Sequence, residues 1–438
     1  MMEPDSLARS RPRGVRSLLK WLGIALAVVG VLATAAVFVA RSVLHERVVR
    51  EREIAATDPP APPGRARLEG KDPAAWLEQI AKSEPREKPG TPDEPCYFAE
   101  MQSGPVQDVL AAVAHEHEHA EARMDLRECG LELLRADQSM RGKQLALALE
   151  ASTYGSFRLV PPRSETDTDP PVAAALPVWG HMQAYLVLCE SAWLAAARGE
   201  HELALAKLRL ALRALRTFDA RTSFHVALCV FEGERTWLRT LSLVARELPG
   251  DVGVAEFESV PDEFNPWPEV EAAWQAERTT GLQAITWMRA QTEGGFEPGP
   301  IWIGNDAWLD HEETLFLQAI ATSLAHARAH TNPGPGPNRS PRAWETISAM
   351  LTQNVDKLHA SALELDALRR VVHAFLIARR DGPQAAIDWA SSQVDPFDRH
   401  PLRTRLVDET LLVWSIGRDL TDDAGDPAAD ISMALRTR

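Results

Sequence analysis

The chain of 438 residues is short of the groups that usually announce chemistry. Its four cysteines, Cys96, Cys129, Cys189 and Cys229, include no Cys-x-x-Cys pair, which argues against a zinc ribbon or a thioredoxin-like site. In an oxidising compartment they can pair as disulfides; isolated buried thiols on helices are an equally good reading. Cationic residues are scarce as well. Lys and Arg number 47 against 62 Asp and Glu, a net charge of −15. That balance argues against nucleic-acid binding, because phosphate neutralisation and counterion release need clustered Lys and Arg. The one local basic stripe, Arg209, Arg213 and Arg216, reads as a solvated helix face paired with nearby carboxylates. No Gly-x-Ser-x-Gly elbow, phosphate-binding Gly-rich loop followed by Lys-Ser/Thr, or Gly-x-Gly-x-x-Gly turn occurs, so no standard nucleophile or nucleotide signature is present.

What the chain does have is an uncharged apolar run, Trp21 to Ala40. At about 1.5 Å per residue it matches a hydrocarbon core of roughly 30 Å. Arg9, Arg11, Arg13, Arg16 and Lys20 precede it; Arg41, Arg47, Arg50 and Arg52 follow, diluted by Glu46, Glu51 and Glu53. The excess on the amino side favours a short cytoplasmic tail and an exported body. Ala33-Thr34-Ala35 offers a small-x-small cleavage site, but the run is longer than a signal-peptide core, so retention as a signal anchor is the expectation.

The rest has ordinary globular composition, 45% hydrophobic and 25% charged, and should fold. The expected plan is a cytoplasmic tail at 1–17 and a transmembrane helix at 18–40, held in the lipid bilayer. A juxtamembrane helix and Pro-rich spacer occupy 41–95. An α-helical domain spans 96–330, a linker 331–341, a helical segment 342–394, and a C-terminal β motif 395–438. The fold class is mainly α. The run from Asp58 through Pro59, Pro60, Pro62 and Pro63 must break the helix continuing from the anchor, because proline lacks the amide and clashes with the preceding turn. It is expected to lift the body off the bilayer as a stiff spacer.

Leu203, Leu205, Leu208, Leu212, Leu215 and Phe218 recur near 3.6-residue spacing, with an apolar face at Tyr185, Leu188, Ala192, Ala195 and Ala196 just upstream. Arg198-Gly199-Glu200 joins the two as antiparallel helices. This hairpin, with Gly199 at the turn followed by Ala204 and Ala211-Leu212, resembles a tetratricopeptide helix pair. A single copy supports a layered helical body more than a solenoid. Trp267, Trp274, Trp287, Trp302 and Trp308 form a dense tryptophan stretch; their helical context favours core packing over a stacking platform for sugars or a partner. Beyond the Pro- and Gly-rich stretch 331–341, two helices at about 342–356 and 359–380 are expected.

Two constellations have chemical content. His115-Glu116-His117-Glu118-His119 matches H-E-x-x-H, in which His115 and His119 hold zinc and Glu116 activates its water. The charged middle positions, the polar continuation and the absence of a third ligand pattern weigh against a membrane-anchored zinc peptidase. The other lies at the carboxyl end. Asp395-Pro396-Phe397 and Pro401-Leu402 lead into strands at Leu402–Val407 and Glu409–Ser415. Ser415-Ile416-Gly417-Arg418-Asp419 and a run of acidic residues follow, closed by Ala429-Asp430-Ile431.

This ending resembles the carboxyl end of the major pseudopilin of type II secretion. With the anchor and helical body, it also resembles a group of single-pass bacterial envelope proteins in which the turn at 197–200 has counterparts. The resemblance implies a small β-hairpin motif and a calcium-binding loop. Asp419 and Asp426 would be ligands, with Asp422, Asp423 and Asp430 contributing. The family has glycine where this chain has Arg399, Leu420 and Ala424. The stem also departs: Gly14 is followed by Val15 and Arg16, and Leu19 stands where a pilin stem carries glutamate. The expectation is therefore a fixed single-pass anchor in a bacterial inner membrane with its body on the periplasmic side. Its role is non-enzymatic contact with protein partners; association with a secretion or pilus-like assembly is the alternative.

Overall fold

A computed structural model describes residues 37–60, 178–217, 223–249, 253–293, 305–331, 355–426 and 429–436. The described chain is mainly helical and ends in a three-stranded antiparallel sheet. Helix α1 covers residues 37–56. Helices α2 (Val178–Ala197), α3 (His201–Arg216) and α4 (Phe224–Glu247) follow, then a 3-10 turn at Ala255–Phe257 and the short α5 (Val260–Glu263). Next come α6 (Trp267–Glu293), α7 (Asn305–Ala329), α8 (Val355–Asp381) and α9 (Pro383–Ser392), before β1 (Arg403–Val407), β2 (Thr410–Ser415) and β3 (Ile431–Arg436).

The predicted hairpin is formed by α2 and α3. Glu200 N donates to Ala195 O and Gly199 N to Ala196 O, both at 2.9 Å, which closes α2 by the paired backbone bonds of a Schellman turn. Gly199 sits at φ 77°, and a Cβ there would meet nothing within 4 Å, so the backbone angle rather than space calls for glycine. The buried stripe of α3 is Ala204, Leu205, Leu208, Ala211, Leu212 and Leu215; Leu203, counted in the predicted stripe, is exposed. Leu205, Leu208, Leu212 and Leu215 are common to both, and Phe218 lies outside the described residues. The arginine face behaves as expected: Arg209 forms a two-pronged pair with Glu256, and Arg216 pairs with Glu263. Helix α4 starts at Ser223, whose side chain accepts from Val226 N, and packs against α2, α3, α6 and α8. Its Trp237 is wholly buried, donates Nε1 to Leu208 O at 3.1 Å and meets Phe257 and Phe264 edge-on.

Trp267, Trp274 and Trp308 are core residues, as helical context suggested, and Trp287 is half-buried. Trp302 lies outside the described residues. The two helices expected at 342–356 and 359–380 are corrected from residue 355 onward. A single helix crosses 356–359, because Leu358, Ala362 and Leu365 continue one buried stripe and no Gly or Pro interrupts it. It ends only at Gly382, where φ is 90° and Pro383 opens α9. Helix α8 touches α4, α5, α6, α9 and the sheet, so it joins the helical body to the β motif.

The juxtamembrane helix ends at residue 56, just before the proline run, and packs against the body; the rest of the expected spacer, 61–95, lies outside the described residues. Leu44, Val48, Glu51, Ala55 and Asp58 face inward at helical spacing, with Val48 buried. Arg52 donates to Glu313, Asp58 pairs with Arg278 at 2.6 Å and Arg328 at 3.3 Å, and Gln275 Nε2 donates to Pro59 O at 3.0 Å. Of the predicted transmembrane span 18–40, only 37–40 are described; among the described residues no helix is long and apolar enough to cross a membrane.

In place of a hairpin the carboxyl end is a meander, in the order β1-β2-β3. The first two strands begin within a residue of their expected starts, with Arg403 opposite Trp414. The third strand places Ile431 opposite Ser415 and supplies backbone partners for the far edge of β2. Leu411, Val413 and Met433 belong to the common core with the helices. Leu412 and Trp414 lie on the opposite face and are nevertheless buried.

Candidate metal and contact loop

The cover over Leu412 and Trp414 is the segment between β2 and β3. A Cβ on Gly425 would come within 2.5 Å of Leu412 Cδ2 and 3.3 Å of Trp414 Cδ2. Only glycine lets the backbone lie that close, and its φ of 87° reinforces the requirement. Gly417, at φ 72°, is held the same way: a Cβ there would be 2.8 Å from Ala429 O. Trp414 Nε1 donates to Asp422 Oδ1 at 2.9 Å, Arg405 Nη2 donates to Ala424 O at 2.8 Å, and the Arg405 guanidinium stands over the Trp414 ring. The loop is thus fastened to the outer face of the sheet.

Below it lies a buried hub that sequence reasoning missed. Asp395 is fully buried. Its Oδ1 accepts from Phe397 N at 3.0 Å and Ser415 Oγ at 2.9 Å, and its Oδ2 accepts from Arg403 at 2.7 Å and Ile416 N at 3.1 Å. One carboxylate therefore ties the exit of α9, the start of β1 and the end of β2. Arg403 also pairs with Asp398. Burial alone would raise the Asp398 pKa, but hydrogen bonds from Arg403 and the His400 amide hold it below the usual carboxylate value. The available signal was an Asp before Pro-aromatic, a pattern that favours a side chain capping its own turn.

The five predicted ligands share this loop but do different things. Asp419 Oδ1 accepts from Thr421 N at 3.1 Å, and Asp422 Oδ1 accepts from Ala424 N at 3.0 Å, both caps of local turns. Asp423 and Asp426 are exposed, and their backbones carry the turn through Asp426 N to Asp423 O and Asp430 N to Asp426 O. Asp430 is 4% exposed. Its Oδ2 accepts from Gly425 N at 2.7 Å, while its Oδ1 is buried without a hydrogen bond. Burial, followed by the charges of Asp422, Asp423 and Asp419, raises its pKa despite the Gly425 bond.

Among the described residues no three His, Cys, Asp or Glu side chains are gathered closely enough to hold a metal ion. The donor chemistry nevertheless suits a hard cation: all candidates are oxygens, and an orphaned buried carboxylate oxygen is the atom such an ion satisfies.

The three positions where the resembling family carries glycine keep left-handed backbone here without it. Arg399 has φ 66°, Leu420 59° and Ala424 61°. Leu420, between Asp419 and Thr421, is 62% exposed.

Elsewhere, Cys189 and Cys229 are free thiols, pushed up to about 12 and about 11 chiefly by burial, so neither is a reactive thiolate. His115, Glu116 and His119, together with Cys96 and Cys129, lie outside the described residues. Comparison with protein-family models, curated proteins and solved structures finds no match.

Proposed function

We propose that this chain is a single-pass protein of the bacterial inner membrane, anchored through 18–40, with a periplasmic body that works by contact rather than catalysis. The loop of Asp419 to Asp430 is its contact site. The observation that carries this reading is the strained backbone of an exposed segment. Leu420 and Ala424 hold left-handed angles at about 1–2 kcal/mol each, and the Asp395 hub and Gly425 fix the loop's seat on the sheet. Strain persists where surrounding structure over-determines it, and such positions cluster at functional sites. An exposed Leu420 in an aspartate-rich segment suits a partner with an apolar socket and a basic rim.

Calcium would be held at Asp430, whose buried Oδ1 lacks a hydrogen bond; Asp419, Asp422, Asp423 and Asp426, which are not gathered into a three-ligand site here, would contribute oxygens only after the loop rearranges around the ion. The exposed apolar residues Val37, Phe38 and Val39 at the start of α1 support the anchor, since they continue the run Trp21–Ala40. A second reading, association with a secretion or pilus-like assembly, is favoured by the left-handed backbone at 399, 420 and 424, where pseudopilins carry glycine.

The test is a photocrosslinking residue at position 420 in native envelopes, with the same residue at Leu203, exposed on α3, as control. A discrete adduct at 420 that is absent from the control position supports the contact site; identical patterns from both positions defeat it. Secretion-system components in the adduct support the second reading, and their absence removes it.

A further inference from the structure

The polar seam between α1 and the body is more extensive than a surface helix needs. Glu313 is fully buried on α7 and is shared by Arg52 of α1 and Arg289 of α6, both of which donate to its Oε2 at 3.0 Å. His45 Nδ1 lies 3.4 Å from Asp310, Gln318 Nε2 donates to Glu51 at 2.9 Å, and Asp58 closes the seam on Arg278 and Arg328. Along α1 the contacting residues rise from His45 to Asp58; along α7 their partners rise from Asp310 to Arg328. The two helices therefore run side by side in the same direction, and α6 runs opposite to both.

This direction has a geometric consequence. His45 follows Ala40 by the same number of residues as Asp310 follows Asn305. At about 1.5 Å per residue, the start of α7 is level with the end of the apolar run, and both lie roughly 8 Å from the His45–Asp310 pair. We infer that α1 is a rigid strut that presses the α6–α7 end of the body against the lipid headgroup surface; this rests on the anchor proposed above. The partner is the bilayer surface, and the described end that meets it is the last turn of α6 and the first turn of α7. A body on a loose tether would behave differently. With a net charge of −15 it would be repelled by anionic lipid, so the docked seam supplies a positioning force that surface electrostatics opposes. Arg41, Arg47 and Arg50, all exposed on α1 near the boundary, place cationic groups at headgroup level.

The test uses the full chain in vesicles containing anionic lipid and a lipid-bound acceptor dye. A donor dye is attached through a non-natural residue at Asp306 or at Ala329, both exposed and roughly 35 Å apart along α7. The expected result is energy transfer severalfold stronger from 306 than from 329. A four-residue Gly-Ser insertion between Ala40 and Arg41 leaves the seam intact and is expected to abolish that difference. If the chain floats with vesicles but transfer is equal from both positions, or is unaffected by the insertion, the strut is wrong and the anchor stands. If the chain does not float with vesicles, the anchor itself is wrong and the strut falls with it.

Discussion

Ser415 Oγ donates to Asp395 Oδ1 at 2.9 Å, joining the last residue of β2 to the turn that leaves α9. With Arg403, Phe397 N and Ile416 N on the same carboxylate, Asp395 is a fully satisfied buried anion. Removing one partner of a buried charge costs far more than its share of contacts, because the others stay buried and unpaired. Asp395→Ala should therefore destabilise by about 3–5 kcal/mol, whereas Ser415→Ala should cost about 1 kcal/mol. Denaturant midpoints of the two variants check this; equal effects would show that the hub is not shared.

Gly281 on α6 lies against Phe316 on α7. A Cβ at 281 would fall 2.2 Å from the Phe316 ring carbon Cζ, and that ring is fully buried. Gly281→Ala must push the ring or part the helices, with an overpacking cost of about 1–3 kcal/mol. Pairing it with Phe316→Leu should recover part of the loss. A thermal melt of the single and double variants reads the coupling.

These two sites show what a one-dimensional reading can and cannot see. Turn chemistry was legible: Gly199 marked the α2–α3 turn, and the first two strands fell within a residue of expectation. The left-handed angles at 399, 420 and 424 were not legible, because residues with a Cβ at these positions argue against them. The third strand was not, because Ile431, Met433 and Leu435 alternate beside a polar turn and pair only through β2. Asp395 and Glu313 were also hidden. A buried carboxylate looks like any surface acid until its arginine partners, eight residues away for Arg403 and distant in sequence for Arg52, are brought beside it. The docking of α1 follows its 44, 48, 51, 55 and 58 stripe, whose polar members Glu51 and Asp58 make it look like a solvated helix in the sequence.

The strain at Ala424 can be measured without losing a side-chain contact of any size. Its φ of 61° disfavours any residue with a Cβ, and the main-chain oxygen that accepts from Arg405 remains in Ala424→Gly. This substitution should stabilise by about 0.5–1 kcal/mol, the left-handed penalty reduced by the extra freedom glycine gives the unfolded chain. Leu420→Gly should stabilise similarly and at the same time weaken crosslinking from the loop. Melting temperatures that fall in both variants would mean the loop angles are not strained.

Asp430 ties the loop to pH. Burial raises its pKa in the folded chain above the ordinary value of 3.8, aided by Asp422, Asp423 and Asp419. The folded state therefore binds this proton more tightly than the unfolded state. The stability Asp430 contributes is full below 3.8 and is lost as pH rises through the higher folded value. Asp430→Asn, which cannot titrate, should remove that component: the stability difference between wild type and variant should favour wild type most at low pH and shrink towards neutrality. Calcium should reverse the neutral-pH loss, because a bound cation stabilises the ionised carboxylate and acts by mass action on the folded state. The check is a set of melts of both proteins from pH 3.5 to 7, with and without millimolar calcium. Wild type should gain melting temperature with calcium at pH 7 and lose that gain at pH 3.5, and Asp430→Asn should show little response at either. A calcium response that is equal in the two proteins would place the ion elsewhere.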